Sequence, residues 1–146
     1  IRPANAYGVG QRPFVGQGFI STAIALALQG KPVQVFGHHG TIRDYLYVSD
    51  LAAGIVLALD QGVEGETYNI GSGVGLSNLE VVKSIVSIMV DDGFQVDIEH
   101  LPERAFDVKA NVLNSQKLQI HTGWKPVVSF EEGIRQTFEW LKSSNG

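Results

Sequence analysis

The chain has 146 residues, of which 44% are hydrophobic and 18% are charged, and its formal net charge is −4. This length and apolar content predict one compact domain, and the acidic balance excludes the basic surface that binds nucleic-acid backbones. The absence of cysteine excludes disulfides, thiolate metal sites and a cysteine nucleophile, and favours a cytoplasmic setting.

The first residues are typical of a buried strand that ends and enters a loop. The chain opens with Ile1-Arg2-Pro3-Ala4-Asn5-Ala6-Tyr7-Gly8 and has neither an initiator methionine nor a signal pattern. We therefore expect an upstream part of the protein to precede residue 1. The longest apolar-rich run, 19–28, has about half of the ~20 residues that a membrane-spanning helix needs, so we expect no membrane segment.

The next segments predict a loop, a helix and two extended segments. Residues 8–18 are rich in glycine and suit a loop that approaches a ligand closely. A helix over 19–29 is expected to end at Gly30, because glycine readily adopts the left-handed conformation that follows many helices. The runs 33–36 and 41–48 are enriched in β-branched or aromatic residues and predict extended segments.

Side chains of the capping type indicate further helices. Asp50 is expected to cap a helix over 51–59. Ser77 and Glu80 have capping-box spacing ahead of the next helix, and residues 129–132 repeat this spacing ahead of the last one. The interleaved order of elements predicts a mixed α/β (α+β) fold. The remaining predicted elements are strands at 67–70 and 94–101, a loop at 102–108, and a helix at 115–122 that ends at Gly123.

Two local patterns are weak indications of chemistry. The glycines within 71–75 lie between a strand and a helix, but a dinucleotide-binding G-x-G-x-x-G needs glycine where Leu76 stands, so a structural turn is favoured. His38 and His39 are neighbours, a spacing that seldom directs both imidazoles to one metal ion, and they predict a solvated turn without a metal site. No G-x-S-x-G elbow is present, which disfavours a hydrolase.

Two arginines are more informative. Asp44 directly follows Arg43, and Asp107 lies three residues after Arg104. Guanidinium groups suit the acceptor oxygens of a diphosphate, so arginines from two separate loops can form a clamp, while an aspartate accepts from a ribose hydroxyl. The alternative is that each arginine forms an ion pair with its neighbouring aspartate. Spacing alone leaves both interpretations open.

Six segments follow one another along nearly the whole chain in an order and spacing that are more specific than any one of them. They are Arg2-Pro3-Ala4-Asn5-Ala6-Tyr7-Gly8, Val35-Phe36-Gly37, residues 43–51, Tyr68-Asn69-Ile70-Gly71-Ser72-Gly73, residues 104–107 and Gly123-Trp124-Lys125-Pro126. Together they resemble the extended short-chain dehydrogenase/reductase family, and within it the UDP-glucose 4-epimerases. The implied fold is the C-terminal substrate-binding portion of such an enzyme, a single domain over 1–146 that includes the last strands of the Rossmann sheet.

The resemblance implies an NAD-dependent enzyme of two parts. The N-terminal Rossmann half would hold NAD, and a Ser/Thr with a Tyr-x-x-x-Lys pair would perform the acid/base chemistry. In this chain Gln11 and Ser49 stand four residues after Tyr7 and Tyr45, where that lysine would have to be. We therefore expect no catalytic residue within the chain and no activity of the chain alone.

Four residues match family positions that contact the diphosphate and ribose of the substrate. By this resemblance Asn5 would hydrogen-bond the diphosphate, and Arg43 and Arg104 would clamp it. Asp107 would bind the ribose. The implied partner is a UDP-sugar.

Five further residues match positions near the base, the cofactor and the sugar. The backbone at Gln34 and Phe36 would read uracil. Pro3 and Ala4 would lie beside the nicotinamide ring of NAD. Asn111 would occupy a position whose size helps to decide whether N-acetylated sugars fit.

The predicted function is the UDP-sugar-binding part of an NAD-dependent 4-epimerase, for UDP-glucose and UDP-galactose or the N-acetylated pair, with a homodimeric full-length protein. One alternative is a dehydratase or reductase of the same superfamily that acts on dTDP- or GDP-sugars. The other is a non-catalytic module that binds nucleotide sugars.

Overall fold

A computed structural model describes residues 1–144, which form helices and short strands in an interleaved order. The helices are α1 (Phe19–Leu28), α2 (Val48–Gln61), α3 (Asn78–Asp91), α4 (Gln116–Thr122) and α5 (Phe130–Ser144). The strands are β1 (Arg2–Pro3), β2 (Asn5–Tyr7), β3 (Val33–Phe36), β4 (Ile42–Tyr47), β5 (Asn69–Ile70), β6 (Gly75–Ser77), β7 (Ile98–Leu101) and β8 (Ala110–Asn111). The predicted mixed α/β class is confirmed, and residues 145–146 of the expected domain lie outside the described residues.

Three small sheets, mostly parallel, position the loops. β1 pairs with β5 and β3 pairs with β7, both in parallel. β4 is the centre of the third sheet, where it pairs in parallel with β2 and β8 and antiparallel with β6. Because parallel neighbours need long crossover connections, these pairings bring together loops that are distant in the chain.

Two apolar cores stabilise this arrangement. The larger core lies among α1, α3, α5, β3 and the tyrosines of β2 and β4. The smaller core lies under α2 and is formed by Leu46, Tyr68, Ile70, Leu118 and Trp124. Fully burying one such large apolar side chain contributes about 1.5–3 kcal/mol.

Three of the local signals for helix ends are confirmed, and the signal at 129–132 is confirmed in part, since the N–H of Glu132 donates to Ser129 Oγ at 3.2 Å. Gly30 and Gly123, which follow α1 and α4, both have left-handed φ angles, of 65° and 72°. The capping box ahead of α3 is complete: the N–H of Ser77 donates to Glu80 Oε2 at 2.8 Å, and the N–H of Glu80 donates to Ser77 Oγ at 3.2 Å. Each of these signals acts within a few residues, which is why the sequence alone reveals it.

The expectation that Asp50 caps a helix beginning at residue 51 is wrong. The helix α2 already begins at Val48, so Asp50 lies inside its first turn. The Asp50 side chain is buried, and its Oδ2 accepts the N–H groups of Val127 and Val128 at 3.0 and 2.9 Å. The carboxylate therefore joins α2 to the segment before α5 and does not cap a helix.

Strands deviate more from expectation than helices do. β5 and β7 occupy only the last parts of the predicted strands 67–70 and 94–101. β6 and β8 were not predicted, because they are two or three residues long and exist through pairing with β4. Very short strands lack the alternation that identifies a strand in the sequence.

The outer face of α2 is apolar and exposed. Of its 14 residues only Asp50 and Gly54 are buried. The exposed apolar stripe along and just beyond the helix comprises Val48, Ile55, Val56, Leu59 and Val63. A helix that is apolar on all sides is usually covered on all sides. Within residues 1–144, no helix combines the length and apolar character needed to cross a membrane.

This stripe predicts self-association of the isolated chain. We expect the apparent mass in sedimentation velocity to rise with concentration, and the double change Val56→Ser with Leu59→Ser to shift the population to the monomer, because polar side chains there remove the gain from burial. Ile120→Ser, an equally exposed apolar position outside α2, serves as control. A wild-type chain that stays monomeric at high concentration would contradict the prediction.

Candidate functional site

A cleft of about 290 Å³ lies between α1, β3 and the loop 102–109. We call it the Phe36 cleft. Its apolar wall comes from Phe19, Ala23 and Leu26 of α1, and its opposite side carries Gln34, Phe36, Arg104 and Asp107. The cleft therefore combines a flat apolar surface with polar groups at one side, which suits a planar polar ligand.

The edge of β3 that faces away from β7 is unpaired among the described residues. The N–H of Val33 donates to the carbonyl of Asp97, just before β7, and the N–H of Gly37 donates to the carbonyl of Leu101, the last residue of β7, both at 2.8 Å. In a parallel ladder, alternate residues bond to a given neighbour, so the backbone groups of Gln34 and Phe36 point to the other edge. Both residues line the Phe36 cleft. Two backbone positions with free donors and acceptors thus border a cleft with an apolar wall.

Arg104 lies at the mouth of this cleft, above an aromatic ring. Its guanidinium carbon is 3.4 Å from the centroid of the Phe36 ring, which is a cation–π distance. Asp107 lines the same cleft, and its N–H donates to the carbonyl of Arg104 at 3.2 Å. The loop therefore turns so that both predicted residues face one cavity.

A second cleft, of about 590 Å³, contains Asn5, Arg43 and Tyr45. We call it the Asn5 cleft. Nη1 of Arg43 donates to the carbonyls of Ile42 and Val108 at 2.8 and 2.7 Å, so part of this guanidinium ties β4 to the loop 102–109. Burial raises the pKa of Tyr45 to about 12, and its phenol remains protonated near neutral pH.

The two clefts are adjacent. Phe19, Thr41 and Asn78 line both of them. Asn78 Oδ1 accepts the N–H and the hydroxyl of Thr41 at 2.7 and 2.9 Å, which fixes the floor between the clefts. Arg43 and Arg104 therefore border neighbouring clefts, which we together call the groove. No sequence pattern indicated Thr41 and Asn78, because their contact depends on the approach of α3 to the start of β4.

The other predicted residues lie at different distances from this groove. Ala4 lines the Asn5 cleft, whereas Pro3 is exposed on β1 and lines neither cleft. Asn111 is exposed on β8, in register with Arg43, and also lines neither cleft. The groove thus contains Asn5, Gln34, Phe36, Arg43, Arg104 and Asp107, with Ala4 at one end.

Asp44 does not pair with Arg43. Its buried carboxylate accepts the N–H groups of Ser72, Gly73 and Leu113 at 2.9, 3.1 and 3.2 Å, and also the Ser72 hydroxyl. Among residues 1–144, neither Arg43 nor Arg104 forms an ion pair. The turn at 71–73 thus binds the Asp44 carboxylate, as expected for a structural turn. The predicted alternative, an ion pair between Arg43 and Asp44, is not formed.

The histidines form a solvated turn. His38 and His39 are exposed, and their nearest ring nitrogens are 3.1 Å apart. No cluster of three or more metal-ligating side chains is found in the described part of the chain. The arrangement agrees with the predicted turn.

Residues 1–137 match the family model described as GDP-mannose 4,6 dehydratase. The chain belongs to this family. The resemblance to extended short-chain dehydrogenases, and to the C-terminal portion of their epimerases and dehydratases, is thereby confirmed.

The relatives of this chain include dehydratases and epimerases. The dTDP-glucose 4,6-dehydratase of Salmonella typhimurium is 34% identical over 94% of this chain and 38% of its own length. The UDP-glucose 4-epimerase of Thermotoga maritima, solved with UDP-glucose, has a TM-score of 0.91 and 32% identity over 99% of this chain and 46% of that one. The chain thus spans less than half the length of these family members.

NAD is confirmed as a cofactor among family relatives. The dTDP-glucose 4,6-dehydratase of Bacillus anthracis, solved with NAD, has a TM-score of 0.84 and 30% identity over 97% of this chain and 43% of that one. The family thus contains members that differ in nucleotide and in reaction.

Proposed function

We propose that this chain is the nucleotide-sugar-binding part of an NAD-dependent epimerase, with a UDP-sugar as substrate. The groove between Asn5 and Arg104 is the binding site in this proposal. The part of the protein that carries the catalytic tyrosine and lysine lies outside this chain. The full-length protein is proposed to be a cytoplasmic homodimer.

One observation supports this proposal most: the free edge of β3 beside Arg104. Uracil and thymine present an acceptor, a donor and an acceptor along their imide edge, which is complementary to the N–H of Gln34, the carbonyl of Gln34 and the N–H of Phe36 on the free edge of β3. The apolar wall from α1 suits the face of a pyrimidine ring. A nucleobase in the Phe36 cleft therefore satisfies strand groups that otherwise bond only to water.

The diphosphate then follows the groove from Arg104 towards Asn5. Asp107 lines the cleft proposed for the base, where its carboxylate would accept from a ribose hydroxyl. Arg43 and Asn5 line the far end, where they would contact the phosphate on the sugar side. Charge-assisted bonds from two arginines suit two adjacent phosphates. We propose that Asn111, which lies outside both clefts, influences which sizes of sugar the site accepts.

Pro3 and Ala4 fit a marginal contact with NAD. Pro3 has no backbone N–H, and the N–H of Ala4 donates to the carbonyl of Ile70 at 2.8 Å. These residues therefore offer carbonyl and apolar surface, which suits one edge of a nicotinamide ring and does not suit its phosphates. NAD, when bound, supplies the hydride chemistry, and this chain contributes only a wall to its site.

The second candidate is a dTDP-sugar dehydratase. It is supported by the sequence relatives, which are dTDP-glucose 4,6-dehydratases at 32–34% identity. Thymine and uracil share the same imide edge, so the open edge of β3 suits both. The two candidates differ in the 5-methyl group of the base and in the 2′-hydroxyl that Asp107 would contact.

Calorimetry of the purified chain with UDP, dTDP, CDP and GDP tests the proposal. We expect UDP or dTDP to bind at least about tenfold more tightly than CDP, because neutral cytosine lacks the N3 proton that a strand carbonyl accepts. UDP above dTDP favours the epimerase, and the reverse favours the dehydratase. Equal affinity for all four nucleotides would contradict base recognition by β3, and no binding at all would contradict the proposed function.

Arg104→Ala is expected to weaken the binding of the preferred nucleotide by about 2 kcal/mol, roughly thirtyfold, because charge-assisted bonds to phosphate are lost. Arg135→Ala is the matched control. Arg135 is exposed on α5 and is not among the residues that line either cleft. Both changes remove one positive charge. An equal loss in the two variants would indicate a general charge effect and contradict the clamp.

A further inference from the structure

Arg104 and Arg43 are held in different ways. Arg43 uses Nη1 for two backbone carbonyls, so part of its donor capacity is already engaged. The side chain of Arg104 forms no hydrogen bond or ion pair within residues 1–144. Its guanidinium carbon lies 3.4 Å from the centroid of the Phe36 ring, a distance short enough to require that the guanidinium face stacks on the ring. Because the N–H groups of a guanidinium lie in its plane, a contact with the face leaves them available.

The contact results from the pairing of two distant strands. Phe36 ends β3 and lies in register with Leu101, which ends β7. The N–H of Gly37 donates to the carbonyl of Leu101 at 2.8 Å and holds the two strand ends together. The chain then reaches Arg104 within three residues, and the Arg104 guanidinium lies over the Phe36 ring.

We propose that the side chain of Phe36 is a positioning residue for Arg104, which it holds at the mouth of the Phe36 cleft with its donors free for a diphosphate. This inference rests on the proposed function and adds a role for the ring to the proposed role of the backbone. An exposed arginine loses rotamer freedom when it binds a ligand, and a side chain that is already ordered loses less. An aspartate partner would order the arginine as well but would occupy the donors that the phosphate needs.

Phe36→Leu is the informative variant, because leucine keeps an apolar side chain on β3 and removes the π face. We expect it to lower the affinity for UDP about threefold to fivefold, the range of an exposed cation–π contact. The affinity for uridine, which has no phosphate, should fall less than the affinity for UDP does. Phe36→Tyr keeps the ring and should lose less affinity for UDP than Phe36→Leu loses. Isothermal titration calorimetry of the full chain measures all of these.

A double-mutant cycle separates positioning from cleft shape. In the Arg104→Ala background, Phe36→Leu should have no further effect on the affinity for UDP, because the ring then has no cation to position. A loss that persists in this background, or an equal loss for uridine and UDP, would show that the ring shapes the base pocket and would overturn the proposal.

The two proposals fail in different ways. If the wild-type chain binds neither UDP nor dTDP, the proposed function fails and the positioning role fails with it. If the wild type binds UDP and Phe36→Leu binds equally well, only the positioning role fails. Nuclear magnetic resonance adds a readout without ligand: the ring should shift the δ protons of Arg104 upfield, and the shift should be lost in Phe36→Leu and kept in Phe36→Tyr.

Discussion

Asp44→Ala is expected to lower the free energy of unfolding by at least about 3 kcal/mol, the largest effect of any single change considered for this chain. The Asp44 carboxylate is 2% exposed and accepts from three backbone N–H groups and one hydroxyl. Alanine would leave the N–H groups of Ser72, Gly73 and Leu113 without this acceptor in a partly buried place. Hydrogen bonds to a charged group each contribute about 1.5–3 kcal/mol, and their loss is not additive.

Urea unfolding followed by tryptophan fluorescence measures this loss, since Trp124 is buried in the smaller core. Asp44→Asn keeps the shape and one acceptor oxygen, and we expect an intermediate loss because its amide group faces other donors. Asp60→Ala is the control, because Asp60 is exposed at the end of α2, and such surface changes stay within about 0.5 kcal/mol. If Asp44→Ala were as mild as this control, the carboxylate would not be holding the turn.

Asp50→Ala is expected to cost about 3 kcal/mol of unfolding free energy, because Oδ2 of this buried carboxylate holds the N–H groups of Val127 and Val128. Asp50→Ser decides between a cap and a long-range link. Serine is as good a cap as aspartate but too short to span to another segment, so we expect no rescue. Full stability of Asp50→Ser in urea unfolding would restore the capping interpretation.

Ser77 provides the matched comparison for Asp50. It is a true helix cap in this chain, with its Oγ accepting from the N–H of Glu80. Ser77→Ala should cost about 1 kcal/mol, and Ser77→Thr should cost less, because threonine also caps and keeps the hydroxyl that donates to Glu80 at 2.7 Å. Exchange for another capping residue is thus expected to be tolerated at position 77 and harmful at position 50.

These two positions also illustrate what the sequence can predict. The bonds of Ser77 end three residues away, at Glu80, so a short motif contains the whole interaction. The partners of Asp50 lie beyond α4, near the start of α5, and no local pattern refers to them. Capping motifs and glycine stops were therefore predictable, whereas the role of a buried carboxylate was not.

The groove follows the same division. The motif order suggested Arg43 and Arg104 as partners, and both border one groove. The stacking of Arg104 on Phe36 was not foreseen, because it depends on the parallel pairing of β3 with β7. The link from Arg43 to Val108 likewise depends on where the loop returns to β4. Residue type and order thus indicated the chemistry. The partners of each arginine's N–H groups are decided by the folded structure.

The parallel pairings have a kinetic consequence. Arg2 can pair with Asn69, and Val33 with Ile98, only after the intervening chain has closed into a loop. Local helices such as α3 form on a microsecond scale, but contacts of high sequence separation slow the whole reaction. The formation of these long-range strand pairs, and not the formation of helices, should therefore limit the rate at which this chain refolds after dilution from denaturant. During that delay the edge of β3, which is proposed to read a base, is an unpaired strand open to neighbouring chains.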